Sequence, residues 1–181
     1  MIACATSTSG TINEHWVLDG VFLTSSNNSE TQMTTLQVQA QQTIADNVLK
    51  NTHLLIEALK QNYVEYAIRG HQRQLTEYGG DRCDRSYAPY HQECIEKLKA
   101  GVCPIDYVIE TGKKYHKVVL IDGGGSRSVH AFIDKKTGEI YKASGWKSLR
   151  AKGVRYDLRL IEDREYLLQN ADWSGGYLFA A

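Results

Sequence analysis

The sequence predicts an α+β fold: an antiparallel sheet of four or five strands packed on one long helix, with short additional helices. Three observations predict it. A run free of Gly and Pro carries apolar residues at helical spacing from Thr43 to Arg69. Beyond Pro104 the apolar period shortens to two, in YVIETG, KYHKVVLID, SRSVHAFID and GEIYKAS. Turn-forming residues bound each of those runs, as an antiparallel meander requires.

Residues 1–32 are rich in Ser, Thr and Asn, with one apolar island at HWVLDGVFL. That composition predicts a poorly ordered or loosely packed N-terminal extension, although the island is long enough for a short strand. Met33 immediately precedes the regular pattern and is an alternative start. The single α+β domain is expected over 33–181.

In the long helix Ile44, Val48, Leu55, Leu59, Tyr63 and Tyr66 recur at intervals of three, four and seven, with Leu49, Ile56 and Ala67 beside them. This is one wide apolar stripe, opposed by Asp46, Lys50, Glu57, Lys60 and Glu65. A coiled-coil arm would need a strict two-position seam, so packing against a sheet is the better reading. Gly70 is placed to take the left-handed conformation that ends a helix. His53 lies off the stripe and reads as a surface or boundary residue.

Between helix and sheet, Ser86 can cap a short helix from about Ala88 to Ala100, with Pro89 in its first turn and Gly101 beyond its end. Its buried stripe would be Tyr90, Cys94, Ile95 and Leu98. Cys83, His91, Cys94 and Cys103 are chemically able to bind zinc, but spacings of eight, three and nine include no Cys-x-x-Cys pair. Buried or incidental cysteines explain the pattern without a metal. Four unevenly spaced cysteines make no disulfide scaffold in a chain of 181 residues and favour a reduced, intracellular protein. None has the surroundings of a known cysteine nucleophile.

In the sheet, strict alternation places Val129, Ala131 and Ile133 on one face, with His130 and Phe132 on the other. KKTG supplies a tight turn, with Gly138 free to take positive φ. DGGGSRS invites comparison with a phosphate loop. A phosphate loop feeds a helix and ends in Gly-Lys-Ser/Thr, whereas a strand pattern follows here, so a hairpin turn is expected. The chain's end predicts a short helix through Tyr166, Leu167 and Leu168, a turn at SGG and a terminal apolar strand. Trp173 and Tyr177 read there as packing residues.

Formal charge is zero overall but uneven. Residues 1–110 hold 8 Lys and Arg against 13 Asp and Glu, residues 111–160 hold 12 against 4, and residues 161–181 hold 1 against 4. A central excess of eight positive charges attracts a polyanion if the side chains share a face, and is otherwise a solvated, charge-protected sheet surface. Within it, GWKSLRAKGVRYDLRL mixes cations with Trp146 and Tyr156, as single-stranded nucleic-acid binding does. The candidate binding residues are Lys142, Trp146, Lys147, Arg150, Lys152 and Arg155. The structural alternative is that Trp146, Val154, Tyr156 and Leu158 anchor a loop and a half-buried strand while their neighbours face water. Secretory features are not apparent at the start of the sequence, and no stretch approaches the ~20 apolar residues of a membrane helix.

VHAFIDKKTGEIYKASGWKS, followed by AKGVRYDL and NADWSGGYLF, resembles a group of small uncharacterised proteins encoded by tailed phages of marine bacteria, cyanophages among them. The likeness covers the chain from Met33 onward and is most specific over 129–177. It implies a viral protein acting in the cytoplasm of the infected bacterial host, and it carries over no catalytic residue. No paired carboxylates, metal-hydrolase motif, catalytic triad or cofactor fingerprint is legible. The expected function is therefore that of a non-enzymatic accessory protein binding a host or viral macromolecule, without a membrane role. Nucleic-acid binding through segment 142–159 is the second reading, and an enzyme with a pocket between sheet and helix the third.

Overall fold

The computed structural model describes the backbone of residues 25–77, 87–150 and 153–179, with side chains from residue 34 onward in the first span. Two compact units divide at the Gln37–Val38 junction. Of the first, residues 25–37 are helical. The second holds the remaining elements. The islands STSGT and HWVLDGVFL, and also Cys83, Ser86 and Lys152, lie outside the described residues.

Helix α1 spans Ser25–Glu77, longer at both ends than its apolar stripe predicts. Residues 25–32, expected to be loop, continue the helix because neither Gly nor Pro interrupts them. At the other end Gly70 does not stop it. A Gly inside a helix costs only ~1 kcal/mol relative to Ala, and the helix-compatible run HQRQLTE follows. Val48, Leu55, Ile56 and Leu59 are buried from this stripe, whereas Ile44 and Tyr66, expected within it, are exposed.

Helix α2, Ala88–Lys99, follows the predicted span, with Pro in its first turn. Tyr87 occupies its N-cap position and makes no side-chain capping bond. Ile95 and Leu98 are buried, Cys94 is half-buried and Tyr90 is exposed, so the predicted stripe is narrower than expected.

Strands β1 (Asp106–Thr111), β2 (Tyr115–Ile121), β3 (Arg127–Asp134), β4 (Glu139–Lys142) and β5 (Tyr156–Asp157) form one antiparallel sheet in sequential order. The turn between β3 and β4 is built by Asp134, whose buried carboxylate accepts the amides of Lys136 and Thr137 at 2.9 and 3.2 Å. Gly138 closes it at φ 69°, where a Cβ would lie 3.0 Å from both Asp157 and Arg159. VRYDLRL, expected to be a full strand, pairs only through Tyr156 and Asp157.

One face of the sheet carries Tyr107, Ile109, Val118, Leu120, Ala131, Ile133 and Ile140, which pack with Val48, Leu55, Ile56 and Leu59 of α1 into a single core. Each fully buried Leu or Ile contributes about 1.5–3 kcal/mol. Polar contacts fix how α1 meets the rest. Asn51 donates to the Leu158 carbonyl at 3.1 Å, Lys60 pairs with Asp106 at 2.7 Å, and Asn62 accepts the Trp173 amide at 3.2 Å.

Strict alternation fails at one place in β3. Val118 faces Ala131 but Val119 faces Val129, so His130 is an extra residue, a β-bulge. The bulge reverses the predicted faces of Val129 and His130, while Ala131 and Ile133 stay inward and Phe132 outward as predicted. Val129 shares the outer side with Val119, while His130 turns inward against Tyr107 and Tyr177.

Helix α3, Ile161–Asn170, buries Leu167 against the core. The predicted terminal strand is instead a 3-10 turn, Gly176–Phe179. Asp172 explains the difference by accepting the backbone amides of Ser174 and Gly176, which curls the chain before it can extend.

Candidate nucleic-acid interface

The sheet's other face, turned away from α1, carries the row Glu110, Lys117, Phe132 and Tyr141, paired across four strands. Side chains two residues apart on a strand share a face, so Tyr115 lies beside Lys117. Its ring meets Phe132 edge-on at 6.2 Å and Tyr141 at 6.1 Å. Phe132 is buried, and Tyr115 and Tyr141 are half-buried. The Tyr141 hydroxyl donates to Glu139 at 2.7 Å, and that bond pushes its pKa up to about 12.

Glu110 organises the upper half of this face. It accepts from Lys117 at 2.9 Å and from Arg127 at 2.6 Å. Those two hydrogen bonds, Lys117 first, hold its carboxyl below the usual range despite some desolvation. The same two cations stand against Trp146, with the Lys117 ammonium 4.5 Å and the Arg127 guanidinium carbon 5.5 Å from the ring centroid. Cations held over an indole face are attracted by its quadrupole. Trp146 is thereby fixed while 40% of its surface stays open to solvent.

Beside it lies a groove of about 350 Å³ lined by Lys113, Lys114, Lys117 and Lys147, with Tyr115 and Phe132 among its walls. Glu110, already shared by two cations, is the one carboxylate among its lining residues. The groove joins positive potential to aromatic surface, the pairing that takes a phosphate backbone and its bases.

Of the six residues singled out from segment 142–159, the five that are described do not form one surface. Trp146 and Lys147 belong to this outer face. Lys142 pairs with Ala131 on the inner side, and Arg150 and Arg155 are its charged neighbours. Lys113, Lys114, Lys117, Arg127 and Tyr115 were missed because they precede the cationic stretch. Their signal was parity: in KYHK the residues Tyr115 and Lys117 are two apart, and the hairpin brings Phe132 opposite Lys117.

Among the described residues no group of three His, Cys, Asp or Glu side chains gathers to hold a metal ion. His71 and His91 approach at 2.9 Å between α1 and α2, and Cys94 and Cys103 are free thiols. No described helix is long and apolar enough to cross a membrane.

Fold and face together define an α+β protein with a five-stranded meander, one side closed by a helix and the other basic and aromatic. Residues 33–180 match a family of unknown function (DUF7717), and the chain belongs to that family. No curated protein and no solved structure matches it.

Proposed function

We propose that the protein is a non-enzymatic binding protein whose outer sheet face engages single-stranded nucleic acid. The observation that carries the reading is the groove that Lys113, Lys114, Lys117 and Lys147 line together with Tyr115 and Phe132. Cations neutralise phosphates and release counterions, while stacked bases gain about 1–3 kcal/mol each on aromatic side chains. A single strand suits the surface better than a duplex, because reading a duplex groove calls for a protruding helix or ribbon and this face presents a sheet. The phage-like sequence pattern adds a setting, that of an accessory protein binding a host or viral macromolecule in the cytoplasm of an infected bacterium.

Fluorescence anisotropy with labelled single-stranded and duplex oligonucleotides, across a salt series, tests it. Single strands should bind more tightly at low salt. Replacing Lys113, Lys114 and Lys147 together by Glu should weaken binding at least tenfold and flatten the salt slope by about 0.7 for each phosphate no longer neutralised. Absence of binding at low salt, or an unchanged affinity in a folded triple variant, rejects the reading.

A further inference from the structure

A second groove, of about 540 Å³, runs between α1 and the corner where β5 leads into α3. Ile44, Val48 and Leu54 give it aliphatic surface, and Lys50, Arg159 and Arg164 are its charged lining residues, with no carboxylate among them. Its α1 wall is one stripe, because residues 44, 47, 48, 51 and 54 recur at helical spacing and extend about 15 Å along the axis. Val48 is wholly buried and forms the floor, whereas Ile44 and Leu54 remain 36% and 43% exposed. Asn51 ties the two walls together by donating to the Leu158 carbonyl at 3.1 Å, next to Arg159 in the chain.

The three cations differ in what neutralises them. Arg159 is clamped by Asp157, whose Oδ1 accepts its amide and Nε and whose Oδ2 accepts Nη2 at 2.7 Å, so both oxygens of that carboxylate are engaged. Asp163, next to Arg164 in the chain, accepts the Asp157 amide at 2.8 Å. Lys50 and Arg164 enter no ion pair or side-chain hydrogen bond among the described residues, and Arg164 is half-buried. A partly desolvated charge without a partner is costly, and an anion arriving from solvent relieves that cost. We infer that this groove binds a medium-chain aliphatic carboxylate, its head group on Arg164 and Lys50 and its chain along Ile44, Val48 and Leu54. The planar fork of a guanidinium matches the two oxygens of a carboxylate. The lining holds no aromatic side chain, so a nucleobase finds nothing to stack on, while Ile44 and Leu54 gain burial under an aliphatic chain. The volume lies within the range of small-molecule sites. No residue is shared with the lysine groove of the outer face.

NMR titration of the full chain with octanoate, octanol and acetate tests the inference. Octanoate should produce saturable shifts at the Asn47, Asn51 and Arg164 amides. Octanol, which lacks the charge, and acetate, which lacks the chain, should each bind at least tenfold more weakly. Arg164→Met should weaken octanoate tenfold or more. Lys50→Ala, an exposed position, should do so by several fold and serves if the first variant melts early. Leu54→Gln should weaken octanoate by several fold and leave the weak response to acetate unchanged, as expected if the chain lies along α1. The Lys113, Lys114 and Lys147 variant should keep the octanoate response, which separates this site's failure from that of the outer face. No saturable shift at millimolar octanoate, octanol binding as tightly as octanoate, or an affinity unchanged in both cation variants overturns the inference.

Discussion

His130 and Tyr177 meet at 2.9 Å, imidazole Nε2 to phenol oxygen, because β3 carries one residue more than the strand beside it. A single inserted residue thus brings a titratable ring into the core, between Tyr107 and Tyr177. Burial disfavours the imidazolium, and it outweighs the pull of Asp172, lowering the His130 pKa to about 4.

That displacement predicts an acid-side loss of stability. The unfolded chain binds a proton at His130 near pH 6.5, and the folded chain near 4, so between those values the unfolded state holds more protons and stability rises with pH. The contribution is fully present above about pH 6.5 and disappears as the pH falls toward 4. It amounts to about 3 kcal/mol as an upper figure, because the ring edge borders a pocket. Urea melts at pH 4.5, 5.5 and 7 should show the slope, and His130→Gln should flatten it. His71 and His116 are displaced in the same direction, each mainly by burial, so some slope should survive in the variant. A slope identical in the two proteins would place the effect elsewhere.

Two glycines should respond to alanine in opposite senses. Gly70 lies inside α1 with open space where its Cβ would stand, so Gly70→Ala should stabilise by about 0.5–1 kcal/mol. Gly175 sits at φ 80° beside His130, so Gly175→Ala should destabilise by about 1–2 kcal/mol. Thermal melting decides both, at roughly 2–4 °C per kcal/mol in a chain of this size.

The strands were legible because two signals agreed there: alternation and flanking turn residues. The predicted spans and the observed strands coincide closely from β1 to β4. The bulge was not legible, since alternation assumes constant parity and nothing in VHAF marks His130 as the extra residue. Gly70 misled for another reason. A glycine ends a helix only where the following chain leaves it, and HQRQLTE does not. The candidate site was half legible: counting charges along 142–159 found Trp146 and Lys147, but linear counting cannot assign faces, so it joined them to Lys142 on the opposite side.

Ile133 should be intolerant of charge. It is wholly buried, paired with His116 on β2 and Ile140 on β4, and part of the core beneath α1. Ile133→Asp places an unpaired carboxylate among apolar side chains and should cost several kcal/mol, enough to abolish a cooperative melt. Lys147 and Arg150 are exposed, and their joint replacement by Glu should change the melting midpoint little. A sharp, native-like transition in Ile133→Asp would mean that this face is not the core.

Trp146 should couple stability to binding on the outer face. Its ring is held by Lys117 and Arg127, themselves tied together through Glu110, while Val119 beneath that face is wholly buried although it points away from α1. Trp146→Ala removes an aromatic cover and should cost about 1–2 kcal/mol; Trp146→Phe, which keeps a ring, should cost less. A double-mutant cycle with Lys117→Met should reveal a coupling of about 0.5 kcal/mol or more, because the two side chains touch. If Trp146 also stacks on a base, the alanine variant should bind single-stranded oligonucleotides several fold more weakly at a temperature where it remains folded, with its salt slope unchanged, since no cation has been removed. A changed slope at unchanged stability would instead mean that Trp146 acts only by positioning Lys117 and Arg127.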